Sequence, residues 1–272
     1  MRTKLGIEGQ IMKRILVAAG AILTILSVMN PTVNAADLPT KAAAYNAPVA
    51  GAFSWTGCYI GANLGGAWSR EKADTTSITS GQLPTLVNQN ASSVIGGLNA
   101  GCNYQFDPHW VVGAEGDWSW TKLNANASVP TFNQNGVPAA GAGASFSGDA
   151  KWLASIRGRV GWVAMPNTLV YFTGGAARAK VDYAAVDAFS GGCPNCAPTS
   201  FSRTKTGYVL GGGADYALTH NWIVRAEYLY YHFGGESSVG FFPDIVGGGP
   251  GAAFNWSDLQ IHEVRLGANY KF

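Results

Sequence analysis

The chain ends Leu259-Gln260-Ile261-His262-Glu263-Val264-Arg265-Leu266-Gly267-Ala268-Asn269-Tyr270-Lys271-Phe272. Read by twos, Val264, Leu266, Ala268, Tyr270 and Phe272 fall on one face. Glu263, Arg265, Gly267, Asn269 and Lys271 fall on the other. In a strand, successive side chains point to opposite sides. An apolar face backed by a charged face therefore suits a wall between lipid and a polar interior. Chain ends are usually loose, yet here the alternation runs to the last residue, so the terminus belongs to the structure.

Working back from this strand, seven further alternating segments appear, at 57–68, 94–106, 110–123, 151–163, 169–183, 206–218 and 222–233. Asp107-Pro108-His109, Met165-Pro166-Asn167 and Thr219-His220-Asn221 form short turns between them, of hairpin length. Long polar stretches at 69–93, 124–150, 184–205 and 234–257 make the other connections. Short turns on one side and long loops on the other predict an all-β fold: an eight-stranded antiparallel transmembrane up-and-down β-barrel with periplasmic turns and four long extracellular loops. Aromatics reinforce this reading by gathering at strand ends. Phe106, Trp110, Trp162, Tyr216, Trp222, Tyr270 and Phe272 lie beside the short turns. Trp68, Trp118, Trp120, Trp152, Tyr183 and Tyr230 lie toward the long loops. Two such belts match the two bilayer interfaces.

Composition agrees. Charged residues make up 12% of the chain and 36 of its residues are glycine, a charge content about half that of ordinary soluble domains. Near the start, Lys13 and Arg14 precede an apolar run over 15–29, and Val33-Asn34-Ala35 supplies a cleavage signature. Residues 1–35 read as a signal peptide, with Met12 a better start than Met1; the run is shorter than the roughly 20 residues a spanning helix needs. Removing residues 1–35 takes away four basic side chains and Glu8, turning a formal +2 into −1. No basic patch remains that would suggest nucleic acid. Residues 36–53, rich in Ala and Pro, read as a flexible periplasmic leader, which leaves 54–272 as the barrel.

The inward phase assigns a charge cluster to the lumen: Glu115, Asp117, Arg157, Arg159, Arg178, Lys180, Asp182, Asp215, Arg225, Glu227, Glu263 and Arg265. An eight-stranded barrel is just wide enough for side chains to fill, so a salt-bridged plug is expected over a narrow porin-like channel. Four cysteines fit an oxidising compartment. Cys58 and Cys102 fall near the periplasmic ends of neighbouring strands and are expected to pair across them. Cys193-Pro194-Asn195-Cys196 suggests a small loop disulfide, because zinc and thioredoxin-like readings both lack their context.

Nothing points to an enzyme, a metal or a cofactor. No Ser sits in a Gly-x-Ser-x-Gly elbow, and Asp258 with His262, the nearest approach to a catalytic pair, has no nucleophile nearby. A ligand such as haem, or a host factor, could be captured only by the loops, where His232 is the one nearby histidine.

Several stretches resemble a known family. Ala36-Asp37-Leu38-Pro39, Phe53-Ser54-Trp55-Thr56-Gly57-Cys58-Tyr59-Ile60-Gly61, Gly101-Cys102-Asn103-Tyr104-Gln105-Phe106, Arg157-Gly158-Arg159-Val160-Gly161, Arg225-Ala226-Glu227-Tyr228 and the terminal strand are similar to small outer-membrane β-barrel proteins of Rhizobiales, of the surface-antigen type. Many of those carry an aromatic where Cys58 stands. The resemblance implies residence in the cell outer membrane. Its partners would be outer-membrane lipid and lipopolysaccharide, the barrel assembly machinery and periplasmic chaperones. Tyr270 and Phe272 would then be the terminal signal that the assembly machinery reads.

Overall fold

Eight antiparallel strands close a ring in the computed structural model, which describes residues 53–77, 85–132, 138–189, 193–241 and 250–272. The expected signal peptide and all but the last residue of the leader lie outside these residues. The strands are β1 (Gly57–Ser77), β2 (Thr85–Asp107), β3 (Trp110–Phe132), β4 (Pro138–Met165), β5 (Thr168–Phe189), β6 (Cys193–Ala217), β7 (Trp222–Phe233), β8 (Glu236–Phe241), β9 (Pro250–Trp256) and β10 (Leu259–Lys271). β1 to β7 pair in chain order, β7 pairs β10, and β10 returns to β1. β8 and β9 form a hairpin inside the last connection, and β9 continues the ladder along the far end of β1.

Backbone partners fix the stagger. From Ile60 the ladder runs through Ala100, Gly116, Ile156, Ala176, Tyr208, His232 and Gln260, and arrives at Arg70, ten residues further along β1. That stagger in eight strands tilts them by about 40° and leaves roughly 16 Å between opposite backbones. Gly57 opens β1 with φ 138°, and a Cβ there would stand 3.2 Å from the Phe272 carbonyl oxygen. Only glycine accepts that turn into the ring.

The strands are longer than their sequence suggests. β4 has 28 residues, a height on the order of 70 Å along the barrel axis once the tilt is allowed for, where the apolar band of such barrels is about 25 Å tall. Three of the polar stretches expected as loops are therefore mostly ladder. β1 and β2 stay paired to Thr75↔Thr85, β3 and β4 to Phe132↔Pro138, and β5 and β6 to Phe189↔Cys193. The fourth, 234–257, holds the β8–β9 hairpin.

Outside, the expected aromatic belts are present. Phe106, Trp110, Trp162, Tyr216, Trp222 and Phe272 are exposed beside the short turns, and Trp68, Trp118 and Trp120 are exposed further up. Tyr183 is a correction: it is buried inside the barrel. Beyond the upper belt the outward positions turn polar, with Arg70 and Lys72 on β1 and Lys122 and Asn124 on β3. Along the same stretch the inward positions turn apolar, as Leu123, Ala150, Val181 and Phe146 are buried there. β5 keeps one parity throughout, whereas β4 switches from even-numbered inward residues (Phe146, Ala150) to odd-numbered ones (Leu153, Arg157) across a bulge at Lys151; both strands exchange their oily and wet faces where lipid gives way to water.

Candidate functional site

The lumen is filled in three tiers. At the short-turn end, Trp55 folds under the rim and is buried with Val111, Leu169, Ala217 and Ile223. Phe53 packs edge-on against it, ring centroids 4.7 Å apart. The Gln105 side-chain oxygen accepts the Trp55 backbone N–H at 3.0 Å, which fixes this lid.

Above it lies the ionic tier, to which all eight ring strands contribute. Arg157 of β4 is its hub, reaching Glu115 at 2.5 Å, Asp117 at 3.0 Å and Glu227 at 3.1 Å. Arg159 meets Asp215 at 2.7 Å and donates to the Tyr59 hydroxyl at 2.9 Å. Arg225 bonds Glu115 and, at 2.7 Å, Asp215. Arg265 of β10 meets Glu227 at 2.7 Å, and Asp117 and Glu263 at 3.5 Å each. Tyr59 of β1 donates to Glu115 at 2.6 Å, and Tyr171 of β5 to Glu227 at 2.9 Å. On β2, Asn99 donates to Asn269 at 2.7 Å. The Arg159 guanidinium lies 3.7 Å from the Tyr171 ring centroid. Glycine makes room for both phenols: a Cβ on Gly101 would come within 2.6 Å of the Tyr59 oxygen, and one on Gly213 within 2.7 Å of the Tyr171 oxygen.

Of the twelve charged residues expected in the lumen, Glu115, Asp117, Arg157, Arg159, Asp215, Arg225, Glu227, Glu263 and Arg265 are buried there. Arg178, Lys180 and Asp182 are corrections. They occupy the outward phase of β5, and Ala177, Ala179, Val181 and Tyr183 point inward instead. The bulky apolar residues of this segment were expected to mark the lipid side. This part of β5 stands at and above the belt, where the wet side is outside. Tyr59, Tyr171, Asn99, Ser155 and Asn269 complete the network and were missed. Ser155 shares the phase of Arg157 and Asn269 that of Arg265, whereas Tyr171 lies in the phase opposite to Arg178 and carries no such signal.

The third tier is apolar. Ile95, Leu153, Leu229, Tyr231, Phe233 and Ile261 cover the ions, and Phe146, Phe254 and Trp256 stack above them. One ion pair is set into this tier. Lys205 lies 3.5 Å from Glu71, which accepts the Tyr183 hydroxyl at 3.0 Å. Beyond the membrane belt, burial pushes the Glu71 carboxyl above the ordinary carboxylate range and pulls the Lys205 ammonium below its ordinary value; each charge only partly offsets the other's loss of water.

Cys58 and Cys102 form a disulfide between directly opposed positions of β1 and β2, Cα atoms 3.9 Å apart, on the outward face. The side chains of Cys193 and Cys196 lie outside the described residues. Tyr270 and Phe272 are exposed at the short-turn rim, ring centroids 5.6 Å apart. The backbone N–H of Phe272 donates to the Cys58 carbonyl at 3.0 Å, which ties the last residue to the first strand. Asp258 and His262 do not come together. His262 bonds the Tyr228 hydroxyl at 2.7 Å and stacks on Trp68, whereas Asp258 faces His232 at 3.6 Å. Among the described residues no group of three or more His, Cys, Asp or Glu could hold a metal ion.

The outer membrane protein beta-barrel domain family matches residues 40–272. A 31 kDa outer-membrane immunogenic protein of Brucella melitensis is 33% identical over 96% of this chain and all of its own length. A 25 kDa outer-membrane immunogenic protein of Brucella abortus is 27% identical over 96% of this chain and 99% of its own. Among solved structures, outer membrane protein OprG of Pseudomonas aeruginosa aligns over 80% of this chain and 97% of its own, with 13% identity and a TM-score of 0.47. The family match spans the whole barrel, so the chain belongs to the outer membrane protein beta-barrel domain family and resides in the outer membrane.

Proposed function

We propose that this protein is a closed, non-conducting barrel that stiffens the outer membrane and holds its long β-hairpins at the cell surface as exposed antigenic structure. The observation that carries the reading is the Arg157 hub, which spans the lumen from β3 to β7 between two apolar tiers. Water and ions crossing such a lumen would have to break several charge-assisted bonds at once. The relatives named outer-membrane immunogenic proteins support the surface role. We take the chain to be non-enzymatic, since His232 and His262 stack on aromatic rings and His109 sits against Asp107 at the rim.

Planar-bilayer recording of the refolded mature chain tests the first half. No discrete conductance steps are expected at neutral pH, and steady single-channel events from folded protein would reject the closed barrel. Antibody or protease access to the hairpins on intact cells tests the second half, and protection of all of them would reject surface display.

A further inference from the structure

Two closures of the ring meet at Cys58. Its side chain is bonded to Cys102, directly opposite on β2. Its carbonyl accepts the backbone N–H of Phe272, the last residue of the chain, at 3.0 Å. From Tyr59 upward, β1 carries β2 on one edge, starting at Tyr59↔Gly101, and β10 on the other, starting at Tyr59↔Lys271. The first pairing joins consecutive strands, and the cysteines have a sequence separation of 44. The second joins the first ring strand to the last, so the ring stays open until β10 arrives.

Both sulfurs face away from the lumen. Along β2, Cys102 lies on the bilayer side of Tyr104 and Phe106, two exposed aromatics of the short-turn rim. The bridge sits in a shallow apolar groove with Ile60, Ala100, Ala114, Ile156 and Phe272. In the finished barrel that groove is filled by hydrocarbon. Disulfide formation proceeds through a thiolate and needs an open path between the reacting sulfurs. A charged sulfur is costly in hydrocarbon, and acyl chains keep a folded oxidoreductase away from it. The bonded state seen here therefore has to be reached before lipid covers the groove.

We infer that Cys58 and Cys102 are substrates of a periplasmic disulfide-donating oxidoreductase, oxidised before the barrel enters the membrane, so that β1 is already fixed on β2 when β10 closes the ring. One cysteine thiolate attacks the enzyme disulfide, forms a mixed disulfide and releases one enzyme sulfur as thiolate. The second cysteine thiolate attacks the substrate-side sulfur of that mixed disulfide and releases the other enzyme sulfur. Two electrons pass to the enzyme, which leaves as a dithiol carrying the two protons that the cysteines gave up. The bridge removes the loop-closure cost of the β1–β2 pair ahead of ring closure. Residence in the outer membrane is required for this order, and a conducting lumen would leave it unchanged.

The test uses C193S/C196S, in which Cys58 and Cys102 are the only thiols. Pulse-labelled cells are quenched in acid, alkylated with a high-mass maleimide and run on gels with and without heating. Chains are expected to be oxidised before they gain heat-modifiable mobility, and folded barrel to carry no free thiol at any time. Barrel that appears reduced and is oxidised afterwards overturns the order. In a strain without the periplasmic thiol oxidant, free thiols are expected to persist in the unfolded pool; unchanged oxidation kinetics overturn the enzyme assignment. Refolding of the oxidised and reduced mature chain into phosphatidylcholine vesicles tests the effect on closure. The oxidised chain is expected to reach the folded mobility roughly fivefold faster, a difference absent in C58A/C102A/C193S/C196S treated in the same two ways. Equal rates for the oxidised and reduced chain overturn the positioning role. Should C193S/C196S not fold, the same time course on the unaltered chain, with the alkylated cysteines assigned by peptide mass spectrometry, still decides the order.

Discussion

Arg157 and Glu227 are separated by 70 residues in the chain and meet at 3.1 Å in the middle of the barrel, where neither side chain is more than 1% exposed. The contact spans the lumen from β4 to β7, and Glu115 and Asp117 hold the same guanidinium from β3. Such a pair is costly to bury and more costly to break.

Arg157→Met leaves Glu115, Asp117 and Glu227 short of a counter-charge. Breaking a buried pair by removing one partner costs about 3–5 kcal/mol, and urea unfolding in detergent micelles is expected to register a loss of that order. The double variant R157M/E227Q is expected to lose less than the two single losses together. Strict additivity would show that the pair does not act as a unit.

The phase of β5 is tested by a contrast. R178Q is expected to change unfolding free energy by less than about 0.5 kcal/mol, as an outward position should. Tyr183→Ala removes a ring buried against Trp256, with centroids 5.0 Å apart, and is expected to cost about 3–5 kcal/mol. The reverse ranking in a chemical denaturation series would restore Arg178 to the interior.

Glu71 and Lys205 make opposite contributions to pH dependence. The folded pKa of Glu71 is raised, so its contribution is complete below the ordinary carboxylate value and is lost as pH rises through the raised one. The folded pKa of Lys205 is lowered, so its contribution is present above the ordinary lysine value and is lost as pH falls through the lowered one. Relative to E71Q, the unaltered chain is therefore expected to lose thermal stability as pH climbs through and just above the carboxylate range. Parallel Tm curves for the two proteins would contradict this.

The Cys58–Cys102 bridge closes a segment with a sequence separation of 44. Chain-entropy arguments give such a loop about 2–4 kcal/mol. C58A/C102A is expected to unfold at correspondingly lower denaturant while retaining the folded gel mobility, and unchanged unfolding would mean that the closed ring already supplies the restraint.

Deleting Phe272 removes the N–H that reaches the Cys58 carbonyl and the ring that packs on Tyr270. A severalfold drop in heat-modifiable barrel in outer-membrane fractions is expected, together with periplasmic accumulation on chaperones. Normal insertion of the truncated chain would count against its role as an assembly signal.

Parity was legible in the chain. The terminal strand's alternation, the three short turns and the placement of tryptophans foretold eight ring strands, the two belts and nine of the lumen charges, because a pleated strand has a side-chain period of two whatever surrounds it. The register of Cys58 against Cys102 could be anticipated for the same reason. Which face is wet at a given height could not. Polarity of the outward residues depends on whether lipid or water touches them, and that boundary is set by strand tilt, stagger and length, which exist only once the ring closes. Arg178, Lys180, Asp182 and Tyr183 were misplaced for that reason, and the polar stretches that looked like loops are ladder that has left the bilayer. The partners of Arg157 and of Lys205 were likewise beyond reach, since they come from strands far apart in sequence and meet only across a lumen whose width the stagger decides.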